Sequence, residues 1–164
     1  MGPARPNPIA RAWLTALAER RGAWWSYALH LTSNEPDAED LVQTMLTTML
    51  ERGIAPDDVA HAYPFRVMRN VHLTRARREH TQRAHAPRLV RTSDDPPDTP
   101  DLARALDALT DEQREVITLK HACGLTLEQI SRVTDTPLGT VAGRHRRALE
   151  ALRARLASIE EIRP

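Results

Sequence analysis

A chain of 164 residues with a formal net charge of +1 has room for one ordinary domain or two small helical ones. Aromatic residues make up only 4% of it and Ala, Leu and Arg are used freely, which favours helix over sheet and predicts an all-α fold. Cys123 is the single cysteine, which excludes an intrachain disulfide or thiolate cluster, and no run approaches the roughly 20 apolar residues of a membrane span.

The first ten residues, MGPARPNPIA, are Pro-rich and lack a signal-peptide core, so disorder, a cytoplasmic location and no membrane insertion are expected. A helix is predicted over 9–30, where Trp13, Leu14, Leu17, Trp24, Tyr27 and Ala28 recur at near-helical spacing, with Gly22 as a candidate interruption. The Trp24-Trp25 pair could stack nucleic-acid bases, but tryptophans beside such a stripe more often belong to the core. Ser33 to Asp37 makes a turn with Pro36 opening the next helix. From Ala38, the positions Leu41, Val42, Met45, Leu46, Met49 and Leu50 follow the i, i+3, i+4, i+7 pattern. The opposite face of this helix begins with Glu39, Asp40 and Gln43, and Gly53 ends it.

A third helix is predicted from around Ala62–Pro64 to about Arg83. Acids collect between Glu35 and Asp58, whereas the run from Arg66 to Arg91 is basic, with Glu79 its lone acid. Such segregation on a near-neutral chain points to local polyanion contacts. The segment 87–100, with RTSDDPPDTP, has no hydrophobic periodicity and reads as a flexible linker between two helical domains, 11–86 and 101–160.

The second domain is strongly punctuated. Leu102, Ala105, Leu106 and Leu109 form an apolar stripe, and Thr110-x-x-Gln113 fits a capping box for a helix that stops at Gly124. Thr126-x-x-Gln129 fits a second box, for a helix to Val133. Thr136 is expected to cap a third helix with Pro137 at its first position. Two helices joined by Thr134-Asp135-Thr136 make a helix-turn-helix, with Ile130, Val133, Leu138 and Val141 placed to pack them together. Thr136, Thr140 and Gly143 are small enough for close approach to a phosphate backbone, and Arg144, Arg146 and Arg147 can bond phosphates or a guanine edge.

With these residues assembled, the chain resembles the extracytoplasmic-function sigma factors of bacterial RNA polymerase. Leu109-Thr-Asp-Glu-Gln-Arg-Glu-Val-Ile, Gly124-Leu-Thr-Leu-Glu-Gln-Ile and Thr136-Pro-Leu-Gly-Thr-Val resemble that family's region 4. Asp37-Ala-Glu-Asp-Leu-Val-Gln and Phe65-Arg-Val-Met-Arg-Asn, followed by Arg75, Arg77 and Arg78, resemble its region 2. The resemblance implies that Glu39, Asp40 and Gln43 dock on the β′ clamp helices of core polymerase. It implies that Arg66, Arg69, Asn70, Arg75, Arg77 and Arg78 face the minus-ten element. Thr136, Thr140, Gly143, Arg144, Arg146 and Arg147 would then face the minus-thirty-five element, and region 4 would touch the β flap. Promoter DNA, core polymerase and an anti-sigma factor are the implied partners. The chain departs from the family's habits at Leu46, Leu50 and Tyr63-Pro64, where aromatics or Trp-Leu are frequent, and at Ala142 and His145, often basic and apolar respectively.

Glu39 and Asp40 lack a histidine or metal motif beside them, so no enzyme is expected. The seven histidines are scattered without an i, i+4 pair, so neither a metal site nor a cofactor is expected. Two other functions fit the same residues: a helix-turn-helix regulator independent of core polymerase, and a sigma mimic that sequesters an anti-sigma factor.

Overall fold

The computed structural model describes residues 7–56, 61–82 and 105–162, and no strand occurs among them. Two compact units, Met1–Leu89 and Val90–Pro164, divide the chain. The segment 87–100, the basic residues from Arg83 to Arg91, and Leu102 lie outside the described residues.

Helix α1 spans Pro8–Thr32, α2 spans Glu35–Glu51 and α3 spans Tyr63–Gln82. The Asn7 side chain accepts from the Ile9 N–H at 3.0 Å and Pro8 sits in the first turn, so helix occupies residues 8–10, where disorder was expected. Helix α1 runs unbroken through Gly22, the one candidate for an interruption. A helical glycine costs about 1 kcal/mol relative to alanine, less than the stabilisation from burying Trp13, Trp24 and Tyr27 on either side of it. Ser33 closes α1 in the left-handed conformation at φ 62°. Asn34 then accepts from the Asp37 N–H at 2.9 Å, which starts α2 three residues before Ala38. Glu35 and Asp37 complement the dipole of that first turn.

The core of the first unit is Trp24 and Tyr27 from α1, Leu41, Met45 and Met49 from α2, and Phe65 and Met68 from α3. Tyr27 and Phe65 meet edge to face with centroids 5.7 Å apart. The Trp13 indole N–H donates to the Ile54 carbonyl at 2.6 Å and ties the segment after α2 back to α1.

In the second unit α4 spans Asp111–Ile117, α5 spans Leu127–Thr134 and α6 spans Leu138–Ile162. Both capping boxes form reciprocally, Thr110 with Gln113 and Thr126 with Gln129. Beyond Ile117 the chain widens into a π turn, Thr118–Ala122, which periodicity did not predict, and Gly124 turns the chain at φ +71°. Asp135, in the left-handed region, makes the sharp turn between α5 and α6.

Two expectations for this turn are corrected. Pro137, not Thr136, holds the cap position of α6, because its carbonyl accepts from the N–H groups of Thr140 and Val141 at 2.9 and 3.0 Å. The Thr136 hydroxyl instead donates back to the Thr134 carbonyl. Leu138 does not pack between the helices but is 44% exposed, whereas Ile130, Val133 and Val141 are buried together.

Candidate nucleic-acid interface

Successive residues of a helix turn by roughly 100°, so residues three, four and seven apart share a face. On α6 this groups Thr140, Gly143, Arg144 and Arg147, about a quarter turn around the helix from the flank that buries Val141 and Ala148 against the rest of the unit. The Arg147 guanidinium folds back over Gly143, its Nη1 3.4 Å from where a Cβ would stand. Arg146 falls on a different flank, 3.9 Å from the Glu150 carboxylate. Thr136 is half-buried in the turn ahead of this face, and Ser131 donates to its carbonyl at 2.6 Å. A short helix, a turn locked by Asp135 and a longer helix with an exposed small-and-basic face can enter a major groove.

In the first unit Arg66, Arg69, Asn70 and Arg77 share the outer face of α3. Arg75 does not join them. It turns toward α2, where it bonds Asp40 at 2.6 Å and the Thr44 hydroxyl at 2.9 Å. Arg78 is exposed between the two directions. Sequence reasoning placed Asp40 and Arg75 in separate interfaces; the fold pairs them, a contact across 35 residues that no local pattern signals.

Glu39 and Gln43 lie one turn apart on α2, linked by a 3.3 Å hydrogen bond. With Leu17, Arg21, Trp25, Val42 and Leu46 they line a groove of about 250 Å³ between α1 and α2. Trp24 is wholly buried while Trp25 lines this groove, so the tandem pair divides between core and surface. A second cavity, of about 480 Å³, opens between α2 and α3 and is lined by Thr48, Arg52, Tyr63, Arg66, Val67 and Asn70. It combines a ring for stacking, a carboxamide that both donates and accepts, and two guanidinium groups for phosphate.

Three titrating groups of the second unit are displaced. Burial pushes the Cys123 thiol up to about 12. The exposed Glu128 carboxyl is held below its ordinary value, first by its own backbone N–H and then by the Thr126 hydroxyl. His145 is held below its ordinary value, first by burial and then by the charges of His121 and Lys120. His121 and His145 bring their Nε2 atoms within 3.0 Å, a pairing that their separation of 24 residues concealed in the sequence. No group of three or more metal-ligating side chains occurs among the described residues, and no helix among them is long and apolar enough to cross a membrane.

The family profile described as "Sigma-70, region 4" matches residues 100–152. An RNA polymerase sigma-E factor of Streptomyces avermitilis is 32% identical over 146 residues, covering 85% of this chain and 82% of that protein. The extracytoplasmic-function sigma factor EcfG of Rhodopseudomonas palustris is 29% identical over 140 residues, covering 80% of this chain and 77% of that protein. Among solved structures, the sigma factor RpoE of Bartonella quintana, in complex with the anti-sigma factor NepR, is similar with a TM-score of 0.67 and 24% identity, covering 88% of this chain and 96% of that one. CnrH, in complex with the cytosolic domain of CnrY, is similar with a TM-score of 0.63 and 24% identity, covering 92% and 91%. An all-α fold with a helix-turn-helix, a region 4 match and a 32% identical relative spanning most of both proteins lead to one assignment: the chain belongs to the extracytoplasmic-function family of RNA polymerase sigma factors.

Proposed function

We propose that the chain works in the cytoplasm as a promoter-specificity subunit of RNA polymerase and catalyses no reaction of its own. Residues 101–160 read the minus-thirty-five element in duplex form, through Thr136, Thr140, Gly143, Arg144 and Arg147, with Arg146 on the flank. Residues 11–86 combine polymerase docking, through Glu39, Asp40 and Gln43, with minus-ten contacts through Arg66, Arg69, Asn70, Arg77 and Arg78. Arg75 reaches that DNA only by leaving Asp40 and Thr44. Residues 87–100 tether the two.

The observation that carries this reading is the shared face of Thr140, Gly143, Arg144 and Arg147 on α6, directly after the Asp135 turn. Small residues let the helix approach the backbone and the two guanidinium groups supply phosphate or guanine contacts. The cavity lined by Tyr63, Arg66 and Asn70 suits an unstacked base, because stacking and a two-way hydrogen-bonding edge compensate the cost of removing it from the duplex. One of the similar solved structures is described as a complex of a sigma factor with an anti-sigma factor, which supports such a partner here.

Run-off transcription by core polymerase, with and without the chain, on a promoter pool from its own genome tests the proposal. New discrete start sites are expected. Silence with demonstrated core binding would point to a mimic that occupies an anti-sigma factor. Silence without core binding would leave a helix-turn-helix regulator.

A further inference from the structure

His121 lies in the π turn after α4 and His145 lies on α6, and their rings are 18° from parallel with centroids 5.3 Å apart. That separation exceeds the 3.0 Å between the Nε2 atoms by the radii of two rings, so the imidazoles meet edge to edge rather than face to face. Such a meeting accommodates one hydrogen. One Nε2 donates and the other accepts, which places opposite tautomers on two neutral rings. A shared metal ion does not fit, because chelating nitrogens aim at a third point and these aim at each other. The π winding sets the azimuth of His121, and single π turns are frequent at functional sites.

Besides its partner ring, the charge that acts on His145 is positive. Lys120 precedes His121 on the π turn and acts on His145, while Arg144 and Arg146 flank His145 on α6. On α5 the charged groups are Glu128 and Arg132, and Glu128 interacts with both Lys120 and Arg132. On α4 the charged groups are Asp111, Glu112, Arg114 and Glu115, and Arg114 is engaged by the Leu106 and Leu109 carbonyls.

We propose that His121 and His145 share one proton in the working state and together position α6, and that a second proton releases it. A first added proton is tolerated, because an imidazolium can donate to a neutral ring. The second leaves two N–H groups facing each other and two like charges beside Lys120. The pair thus prefers the less protonated form. Its contribution is present above the ordinary histidine range and is lost as pH falls from that range through the lowered value of His145. A consequence for promoter binding rests on α6 being the DNA-reading helix; the sharing of the proton does not.

The test is ring-nitrogen NMR on the full chain between about pH 7.5 and 5, with amide protection of residues 138–148 followed in parallel. At the upper pH one ring is expected as the Nε2–H tautomer and the other as the Nδ1–H tautomer. On acidification, protection of the α6 amides is expected to fall by about tenfold for each pH unit by which the pair is displaced. His121→Ala, at an exposed position, should return His145 part of the way toward the ordinary range and reduce the pH step in protection to what burial alone leaves. His145→Gln, which can still hydrogen-bond but does not titrate here, should keep α6 protected at the lower pH. The same tautomer on both rings, or an unchanged pH step in His121→Ala, overturns the proposal. The experiment contains no DNA, so failure of the promoter reading would instead appear in transcription.

Discussion

The two units solve the same problem, holding a functional helix in place, by different physical means. In the first, α1, α2 and α3 are long and converge on Trp24, Tyr27, Met45, Phe65 and Met68, contacts made between distant parts of the sequence. In the second, α5 has only eight residues, too few to persist alone, and α4 and α5 each begin with a reciprocal capping box. Long-range packing tolerates a glycine inside α1. Short helices need their starts fixed locally, and the helix-turn-helix inherits its geometry from those starts.

The chain provides a separate reporter for each side of this comparison. Its three tryptophans, at 13, 24 and 25, all lie in the first unit, and its one thiol, Cys123, lies buried in the second. With that thiol pushed up to about 12, the thiolate is scarce near neutral pH and alkylation requires the second unit to open. The largest effect should come from Phe65→Ala, which removes a wholly buried ring against Tyr27 and is expected to cost about 3–5 kcal/mol. Urea unfolding followed by tryptophan fluorescence should shift to lower denaturant while Cys123 alkylation keeps its wild-type rate. Parallel acceleration of alkylation would mean that the two units unfold as one, and the contrast would fail.

A second experiment moves from stability to the exposed face of α6. Arg144→Ala should weaken binding to a cognate promoter duplex by about 1–3 kcal/mol if it reads a base, and by a smaller, salt-dependent amount if it touches phosphate. Arg146→Ala should cost less, because Arg146 lies off that face beside Glu150. Fluorescence anisotropy at two salt concentrations separates the cases. Equal losses for the two variants would mean that helical phase does not define the interface.

This contrast also explains what was legible in the sequence. Thr110 with Gln113, and Thr126 with Gln129, are local signals, so α4 and α5 could be placed from spacing alone. The grouping of Thr140, Gly143, Arg144 and Arg147 follows from periodicity in the same way. Pro137 misled because proline at a helix start suits more than one position, and only the carbonyl bonding pattern of the folded turn decides among them. Leu138 misled because an apolar residue in an amphipathic register was assumed to face inward. The Asp40–Arg75 and His121–His145 contacts were invisible, since each joins residues more than 20 positions apart through the tertiary fold.

A smaller loss is predicted for the local device itself. Thr126→Ala removes the hydroxyl that accepts from the Gln129 N–H at 3.2 Å, and a lost cap of this kind costs typically about 1 kcal/mol. Alkylation of Cys123 should accelerate by about fivefold, the factor matching that energy, while tryptophan-detected unfolding stays put. An unchanged alkylation rate would show that the packing of Ile130 and Val133, rather than the box, fixes where α5 begins.

The smallest expected effect on stability concerns the ion pair that bridges α2 and α3. The Asp40 and Arg75 side chains are 59% and 41% exposed, so water screens their 2.6 Å contact and a double-mutant cycle should give a coupling below about 1 kcal/mol. A pair worth so little to the fold is easily exchanged for other partners. On the proposed reading, polymerase docking that engages Asp40 would free Arg75 to turn toward minus-ten DNA, linking the two proposed interfaces through one exchangeable contact. Asp40→Arg should therefore abolish co-purification with core polymerase while leaving tryptophan-detected stability within about 1 kcal/mol of wild type. Asp40→Asn should retain the shape but weaken the bond to Arg75. A large stability loss in either variant would make the pair a structural tie and remove Asp40 from the docking surface.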